Sequence, residues 1–344
     1  CSLSTRQKEY DSIRKTGKLS DGTTISFGLQ PKIRENGYVC IEQEFIDKRM
    51  EQYFIGYVPL YITDYLQFFM NKTDYRRRNV FIARKKGMCV KKKPEGYGVT
   101  EKLHYSAVNA YNCPFECSYC YLHGFFRSDD IVVFANTDDV VSQILDIHRT
   151  NPERQILLYF GDFCDALVYD TALHTTAYIS EALSQYPGIR CEFRTKSAAY
   201  MHLQQIKNTY TVIPAWTLST EHVVATYEKG TAPLEARFKG LLSVIAWGFD
   251  VSVHIDPVVY YEGCEEDYRE LFVKIAKTLP AQNVVHISLG FLRMNRDTYK
   301  TIRHVPGKAA ITSYLAFEQG MYRYPQEFRE DRKSTRLNSS HRIR

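Results

Sequence analysis

Three cysteines fall within eight residues, in Cys113-Pro-Phe-Glu-Cys117-Ser-Tyr-Cys120. Thiolates at this spacing can ligate three irons of one cubane iron–sulfur cluster and leave the fourth iron open. Structural zinc sites are closed by four ligands, so a triad without an evident fourth favours the open cluster. His123 and Cys89 are the candidates that would complete a zinc site instead. The chain holds nine cysteines in all, the others at positions 1, 40, 89, 164, 191 and 264. An odd number argues for reduced thiols rather than a disulfide framework, and for metal binding or catalysis at the one tight cluster.

The elements that must position the triad follow a regular pattern. Apolar, strand-like runs recur at residues 105–111, 155–160, 189–195, 211–219, 249–256 and 283–290. Helical periodicity fills the gaps, at 138–148, 171–185, 199–206, 234–247, 266–279 and 296–302. This α/β alternation predicts a parallel sheet with right-handed crossovers, curled into a partial (βα)6 barrel that binds ligands at the C-terminal ends of its strands. The triad sits directly after the first predicted strand. Residues 1–100 are expected to form a smaller, mixed N-terminal region with a charged helical piece over 42–54, residues 101–305 the barrel, and 306–330 a C-terminal extension. Residues 331–344 have neither core pattern nor caps and are expected to be a non-native, disordered tail; the missing initiator Met points to a fragment.

Of the 344 residues 44% are apolar, and 26 Tyr and 19 Phe are spread along the chain, which excludes a disordered protein or a small disulfide scaffold. No apolar run approaches the roughly 20 residues of a membrane-spanning helix. The first residues also lack the layout of a secretory signal, so a cytoplasmic protein is expected. The formal charge of +6 is unevenly placed. Residues 331–344 carry five basic groups and one acid, and residues 76–93 hold nine Lys or Arg and no acid, leaving the rest net acidic. That basic segment, Arg76-Arg-Arg78, Arg84-Lys-Lys86 and Lys91-Lys-Lys93 around Val80-Phe81-Ile82, reads as a strand with charged ends, either a solvated face or a track for a phosphate backbone. Arg293, Arg296 and residues 322–324 are further candidates for nucleic-acid contact.

The Cys-x-x-x-Cys-x-x-Cys spacing, with Tyr119 before the last cysteine and the motif after the first strand of a six-fold βα chain, resembles the radical S-adenosylmethionine (SAM) superfamily. Within it the chain resembles the spore photoproduct lyase family over about residues 80–325. The likeness rests on Cys117-Ser-Tyr-Cys-Tyr-Leu122, Phe193-Arg-Thr-Lys196, Tyr227-Glu-Lys-Gly-Thr231 with Glu235-Ala-Arg237, and Asp256-Pro-Val-Val-Tyr-Tyr-Glu-Gly263 followed by Glu265-Glu-Asp-Tyr268. It implies a [4Fe-4S] cluster on Cys113, Cys117 and Cys120 whose open iron chelates SAM. One-electron reduction then yields methionine and a 5′-deoxyadenosyl radical that takes hydrogen from an unactivated carbon. In the lyase the target is a methylene-bridged thymine dimer, which fragments back to two thymines. DNA is therefore the implied partner, with an electron donor such as flavodoxin or ferredoxin and no membrane.

The same resemblance assigns individual residues. Tyr119 and Tyr121 match a pair that passes a hydrogen atom back beside SAM, although simple packing is the alternative in a Tyr-rich chain. Lys196, ending the third predicted strand, matches a lysine that meets the SAM carboxylate as a point charge; a strand-end lysine can also be merely solvated. Asp165 and Thr217 stand at further cofactor-binding positions, Thr217 where the family has a serine; an inward Thr in a strand needs no such role. Cys164, in Phe160-Gly-Asp-Phe-Cys164, is the candidate donor of a hydrogen atom to the thymine radical, because its S–H bond is weak. Laying Asp165 and Lys196 on their family counterparts puts Asp162 in the donor slot and Cys164 two residues later, on the same face of an extended segment. Otherwise Cys164 is a small buried residue. Cys264 follows Glu262-Gly263 where relatives tend to carry Trp. Two other functions fit the sequence: the same radical chemistry on another nucleotide or a peptide, and a non-enzymatic iron–sulfur or zinc protein that binds nucleic acid.

Overall fold

The structure, a computed structural model, describes residues 38–42, 58–62, 79–94, 101–126, 130–304, 309–327 and 329. Beyond Glu42, the helical piece expected over 42–54 lies outside them, as do Arg76 to Arg78 and the tail 331–344. Six strands form the main sheet: β1 (Leu103–Ala107), β2 (Ile156–Phe160), β3 (Ile189–Thr195), β4 (Val212–Thr217), β5 (Val251–Val258) and β6 (Val284–Phe291). They pair in chain order and all in parallel, and the short strand Val90–Lys92 runs antiparallel along the β1 edge. The sheet curls into the half-barrel expected from the alternation of apolar runs.

Strand parity explains why both faces are buried. Leu158, Phe160, Cys191, Phe193, Val212, Trp216, Val251, Val253 and Ile255 face the helices in one continuous core, with the Phe160 and Phe193 rings stacked at 4.4 Å. The alternate positions, including Leu157, Tyr159 and Ile213, line the concave side. The covering helices are α1 (Thr137–Thr150), α2 (Asp170–Leu173), α3 (Thr175–Ala182), α4 (Glu221–Tyr227), α5 (Leu234–Ala246), α6 (Cys264–Thr278) and α7 (Arg296–Arg303). At the α5–β4 contact a Cβ on Gly240 would lie 2.7 Å from Trp216 Cζ2, so only glycine allows this helix so close.

Three elements depart from the periodicity. The helix expected over 171–185 is broken at His174, which takes φ 53°. Buried Asp170 accepts hydrogen bonds from both the backbone N–H (3.1 Å) and the hydroxyl of Thr176, offering the chain a local alternative to the helix. The stretch 199–206 makes a single 3-10 turn, Met201–Gln205, after Ser197 Oγ accepts from the Ala199 N–H. Helix α4, not expected, starts at Thr220, whose hydroxyl oxygen accepts from the Val223 N–H.

A second sheet runs Val58–Ile62, Tyr38–Glu42, Val80–Ala83 and Ile131–Phe134 in parallel, with Ala110–Tyr111 antiparallel at its edge. Residues 80 to 83 are fully buried at its centre. It thus takes two strands from beyond residue 100, one on either side of the cysteine triad. Of the basic segment, Arg84 pairs with Asp139 at 2.6 Å and Lys93 with Asp162, whereas Lys86, Lys91 and Lys92 are exposed. A small antiparallel sheet joins Arg293–Met294, Met321–Arg323 and Ala316–Glu318. In it Tyr322 stacks on Tyr299 at 3.5 Å, buried Tyr324 accepts a hydrogen bond from the Tyr260 N–H, and Arg296 lies over the Phe317 ring. Among the described residues no helix is long and apolar enough to cross a membrane.

Candidate active site

The C-terminal ends of the barrel strands open into a cavity of about 300 Å³, at the lower end of small-molecule sites. Its lining includes Cys113, Cys117 and Cys120 from the loop after β1, together with Tyr119 and Tyr121. Asp162, Cys164 and Asp165 enter from the loop after β2, Lys196 from the end of β3 and Thr217 from β4. The triad, Tyr119, Tyr121, Asp162, Cys164, Asp165, Lys196 and Thr217 thus reach one cavity, whose lining does not include His123 or Cys89. Arg194, Asp256 and Arg293 line it as well and had no assigned binding role there. Arg194 and Asp256 could have been found by the logic applied to Lys196: each is a polar residue at the C-terminal end of a strand.

The triad loop is held by backbone pairing. Strand Glu116–Cys117 runs antiparallel to Glu228–Lys229, with Cys117 opposite Glu228, and the Ser118 N–H donates to Tyr227 O at 2.7 Å. Behind this ladder Glu228 is fully buried and pairs with Arg237, also fully buried, at 2.5 Å. Arg237 spends its other donors on Ala232 O (2.8 Å), Thr217 O (2.9 Å) and Thr231 Oγ1 (2.7 Å). The Tyr119 hydroxyl donates to the same Glu228 carboxylate. Burial, with the Glu228 charge beside it, pushes the Tyr119 phenol well above its usual range. Lys196 Nζ lies 5.7 Å over the Tyr119 ring; burial opposes its charge, but Glu228 and then Cys117 outweigh that and hold the ammonium above its usual range.

The loop after β2 is fixed from both ends. Gly161 takes φ +117°, and a Cβ there would lie 2.9 Å from Arg194 O, so the backbone can pass β3 only at a glycine. Gly161→Ala is expected to cost more than about 1 kcal/mol in urea unfolding; an unchanged midpoint would show that this close passage is unnecessary. Asp165 accepts from the Lys196 N–H (2.6 Å), the Thr195 hydroxyl (2.8 Å) and the Leu167 and Val168 N–H groups (3.1 and 3.0 Å). Its carboxylate therefore ties the loop to the end of β3, and burial raises its pKa against those hydrogen bonds. Asp162 and Cys164 both face the cavity, while Phe163 turns into a cluster with Tyr111, Tyr121, Phe125 and Phe126. The Asp162 carboxylate is engaged by Lys93 and Ser106, and its carbonyl accepts from the Tyr121 hydroxyl.

Among the described residues only Glu192, His254 and His286 bring three ligand atoms within 4.8 Å of one another. The three triad sulfurs do not all lie within that distance of one another, whereas thiolates sharing one zinc ion with bonds of about 2.3 Å do. His123 turns its Nε2 to Cys117 O at 2.9 Å, and the Cys89 thiol faces Lys85 O and Gly87 O. Neither alternative fourth ligand points at the triad. Burial raises Cys117 and Cys120, the latter to about 11, whereas a hydrogen bond from the Cys164 thiol lowers Cys113. Cys164 is thereby placed within hydrogen-bonding reach of a triad sulfur, and burial pushes its own pKa up.

A family model for spore photoproduct lyase matches residues 97–323. The chain belongs to the spore photoproduct lyase family. Spore photoproduct lyase of Bacillus subtilis (strain 168) is 26% identical over 221 residues, 64% of this chain and 64% of the relative. That of Geobacillus sp. (strain Y412MC61) is 26% identical over 179 residues, 51% of this chain and 52% of the relative. The matched stretch thus spans less than two thirds of either lyase. A solved cysteine-to-alanine variant of spore photoproduct lyase with dinucleoside spore photoproduct superimposes at TM-score 0.75 with 19% identity, covering 87% of this chain and 94% of that one. Another variant, with bound AdoMet and dinucleoside spore photoproduct, does so at TM-score 0.71 and 18% identity. These likenesses show that the half-barrel is the lyase fold.

Proposed function

We propose that this chain is a radical SAM enzyme that repairs a methylene-bridged thymine dimer in DNA. The observation that carries the reading is the convergence, in one cavity of a lyase-family half-barrel, of the three triad thiols and a fourth, Cys164, beside Cys113. Cys113, Cys117 and Cys120 would hold a [4Fe-4S] cluster, and Lys196, Thr217 and Tyr119 would contact SAM. When bound, the two cofactors supply hydrogen-atom abstraction from an unactivated carbon. Lys196 brings a positive charge to a carboxylate at the cavity wall. Asp165 serves as a positioning residue, because its oxygens are taken by the backbone of its own loop and of β3.

On this reading the Cys164 thiol gives its hydrogen atom to a substrate carbon: the S–H bond breaks, a C–H bond forms, and a thiyl radical remains. Tyr121 and Tyr119, which line the same cavity, would return that atom as the family resemblance implies, an O–H bond breaking as the S–H bond re-forms. The exposed Lys86, Lys91 and Lys92 suit a phosphate backbone, and the lesion-bound structure of the relative supports a DNA-derived substrate. A flavodoxin or ferredoxin would supply the electron, in the cytoplasm. Residues 101–305 form the catalytic unit on this reading, with 1–100 and 306–330 as flanking regions.

The test is anaerobic reconstitution of the cluster, followed by SAM, a chemical reductant and a dinucleotide spore photoproduct. Restored thymine dinucleotide is the expected product. Deoxyadenosine without restored thymine would overturn the substrate while keeping the radical chemistry, in favour of another nucleotide or a peptide. Cys117→Ala is expected to abolish both products and the cluster's visible absorption; retention of either would overturn the cluster assignment.

A further inference from the structure

One layer below the cofactor cavity, on the concave face, three polar side chains from three strands converge where an apolar layer is the usual filling. Glu192 of β3 and His254 of β5 are buried and His286 of β6 is half-buried, with their ligand atoms all within 4.8 Å of one another. His254 Nε2 lies 2.8 Å from Glu192 Oε1, and His286 Nε2 lies 3.3 Å from Glu192 Oε2. Each imidazole is also held from behind: His254 Nδ1 is 2.5 Å from Ser288 Oγ, and His286 Nδ1 is 3.3 Å from Ser252 Oγ. The two serines sit directly across the β5–β6 ladder, in the pairs Ser252–His286 and His254–Ser288. A hydrogen bond to the outer nitrogen of a ligating histidine is what orients the inner one toward a metal.

A second observation points to a missing partner. Glu192 Oε2, in a side chain with no exposed surface, has His286 Nε2 at 3.3 Å but accepts no hydrogen bond from it or from any other donor, although buried carboxylate oxygens are normally satisfied. Arg194 Nη2, at 3.3 Å, is directed at the other oxygen, Oε1. We propose that Glu192, His254 and His286 form a binding site for a divalent transition-metal ion of the zinc class. Two imidazole nitrogens and one carboxylate oxygen suit that class and leave one coordination position open. A carboxylate that ligates through one oxygen while its other oxygen takes an Arg hydrogen bond is a common outer arrangement.

The site has a structural consequence. β3 and β6 are not neighbours in the sheet, since β4 and β5 lie between them. An ion shared by Glu192 and His286 would pin the open edge of the half-barrel, where Ile287 is half exposed, to its centre. It would also fix the carboxylate that orients Arg194, which lines the cofactor cavity.

Zinc content after gel filtration, measured by plasma mass spectrometry on cluster-reconstituted protein given stoichiometric Zn²⁺, tests the site. About one zinc per chain is expected in the wild type and in Cys113→Ala, and at least tenfold less in Glu192→Gln and in the His254→Ala, His286→Ala double variant. Zinc-edge X-ray absorption of the wild type, which needs no variant to fold, should show a first shell of nitrogen and oxygen at about 2.0 Å. Sulfur in that shell, zinc that follows Cys113, or zinc no higher in the wild type than in the double variant would overturn the proposal.

Discussion

Cys164→Ala is expected to leave reductive SAM cleavage within a few-fold of wild type and to lower restored thymine by more than about tenfold, a barrier increase above about 1.4 kcal/mol. The two readouts separate because the thiol lies in the cavity wall next to Cys113 but outside the triad loop. Alanine removes the S–H bond without touching the ladder that holds Cys117 to Glu228. The substrate radical, deprived of its hydrogen source, should instead be trapped by solvent or reductant, and misreduced or adducted dinucleotide should accumulate. Product analysis by liquid chromatography and mass spectrometry checks this. Asp162→Ala serves as the comparison, since its carboxylate is tied to Lys93 and Ser106. If Cys164→Ala restored thymine at the wild-type rate, Cys164 would be a small buried residue and the donor would lie elsewhere.

Arg237→Met is expected to destabilise the protein by roughly 3–5 kcal/mol, because it leaves the Glu228 carboxylate charged and buried without its partner. The guanidinium also satisfies Ala232 O, Thr217 O and Thr231 Oγ1, which would lose their donors together. Arg237→Lys cannot reproduce that planar fork and should recover little. Removing both charges, in a Glu228→Gln, Arg237→Met double variant, should be less damaging than removing the arginine alone, a non-additivity expected of contacting groups. Denaturant unfolding of the three variants measures these differences. A loss below about 1 kcal/mol in Arg237→Met, or a double variant worse than Arg237→Met alone, would mean that the pair is not what holds the triad loop.

The half-barrel was legible because its central strands, β2 to β5, are buried on both faces and appear as apolar runs at regular spacing. The triad was legible because its three residues are neighbours in the chain. The clasp behind it was not, although Tyr227-Glu-Lys-Gly-Thr231 and Glu235-Ala-Arg237 are conspicuous as motifs. Tyr119 and Glu228 are 109 residues apart, and nothing local reveals that one hydroxyl meets the other's carboxylate. The cluster of Glu192, His254 and His286 was hidden for the same reason, though inward parity within apolar strands was an available sign. Helix breaks escaped for a different reason: Asp170 competes with the helix through its side chain, which hydrophobic periodicity does not register.

The second sheet gains meaning from where its two later strands fall. Ala110 pairs with Val133 and Tyr111 with Val132, so the segment carrying all three triad cysteines is a loop closed by backbone pairing. Closing a loop of about 20 residues costs on the order of 3 kcal/mol of chain entropy. Here that cost is met by strand Ile131–Phe134 lying fully buried against Val80–Ala83. Residues upstream of the 97–323 family match thus set the conformational freedom of the triad loop. A version trimmed to the matched region would keep all three triad thiols on a loop whose closing strand has lost its buried neighbour, so that any ligand they take would have to order the loop as it binds.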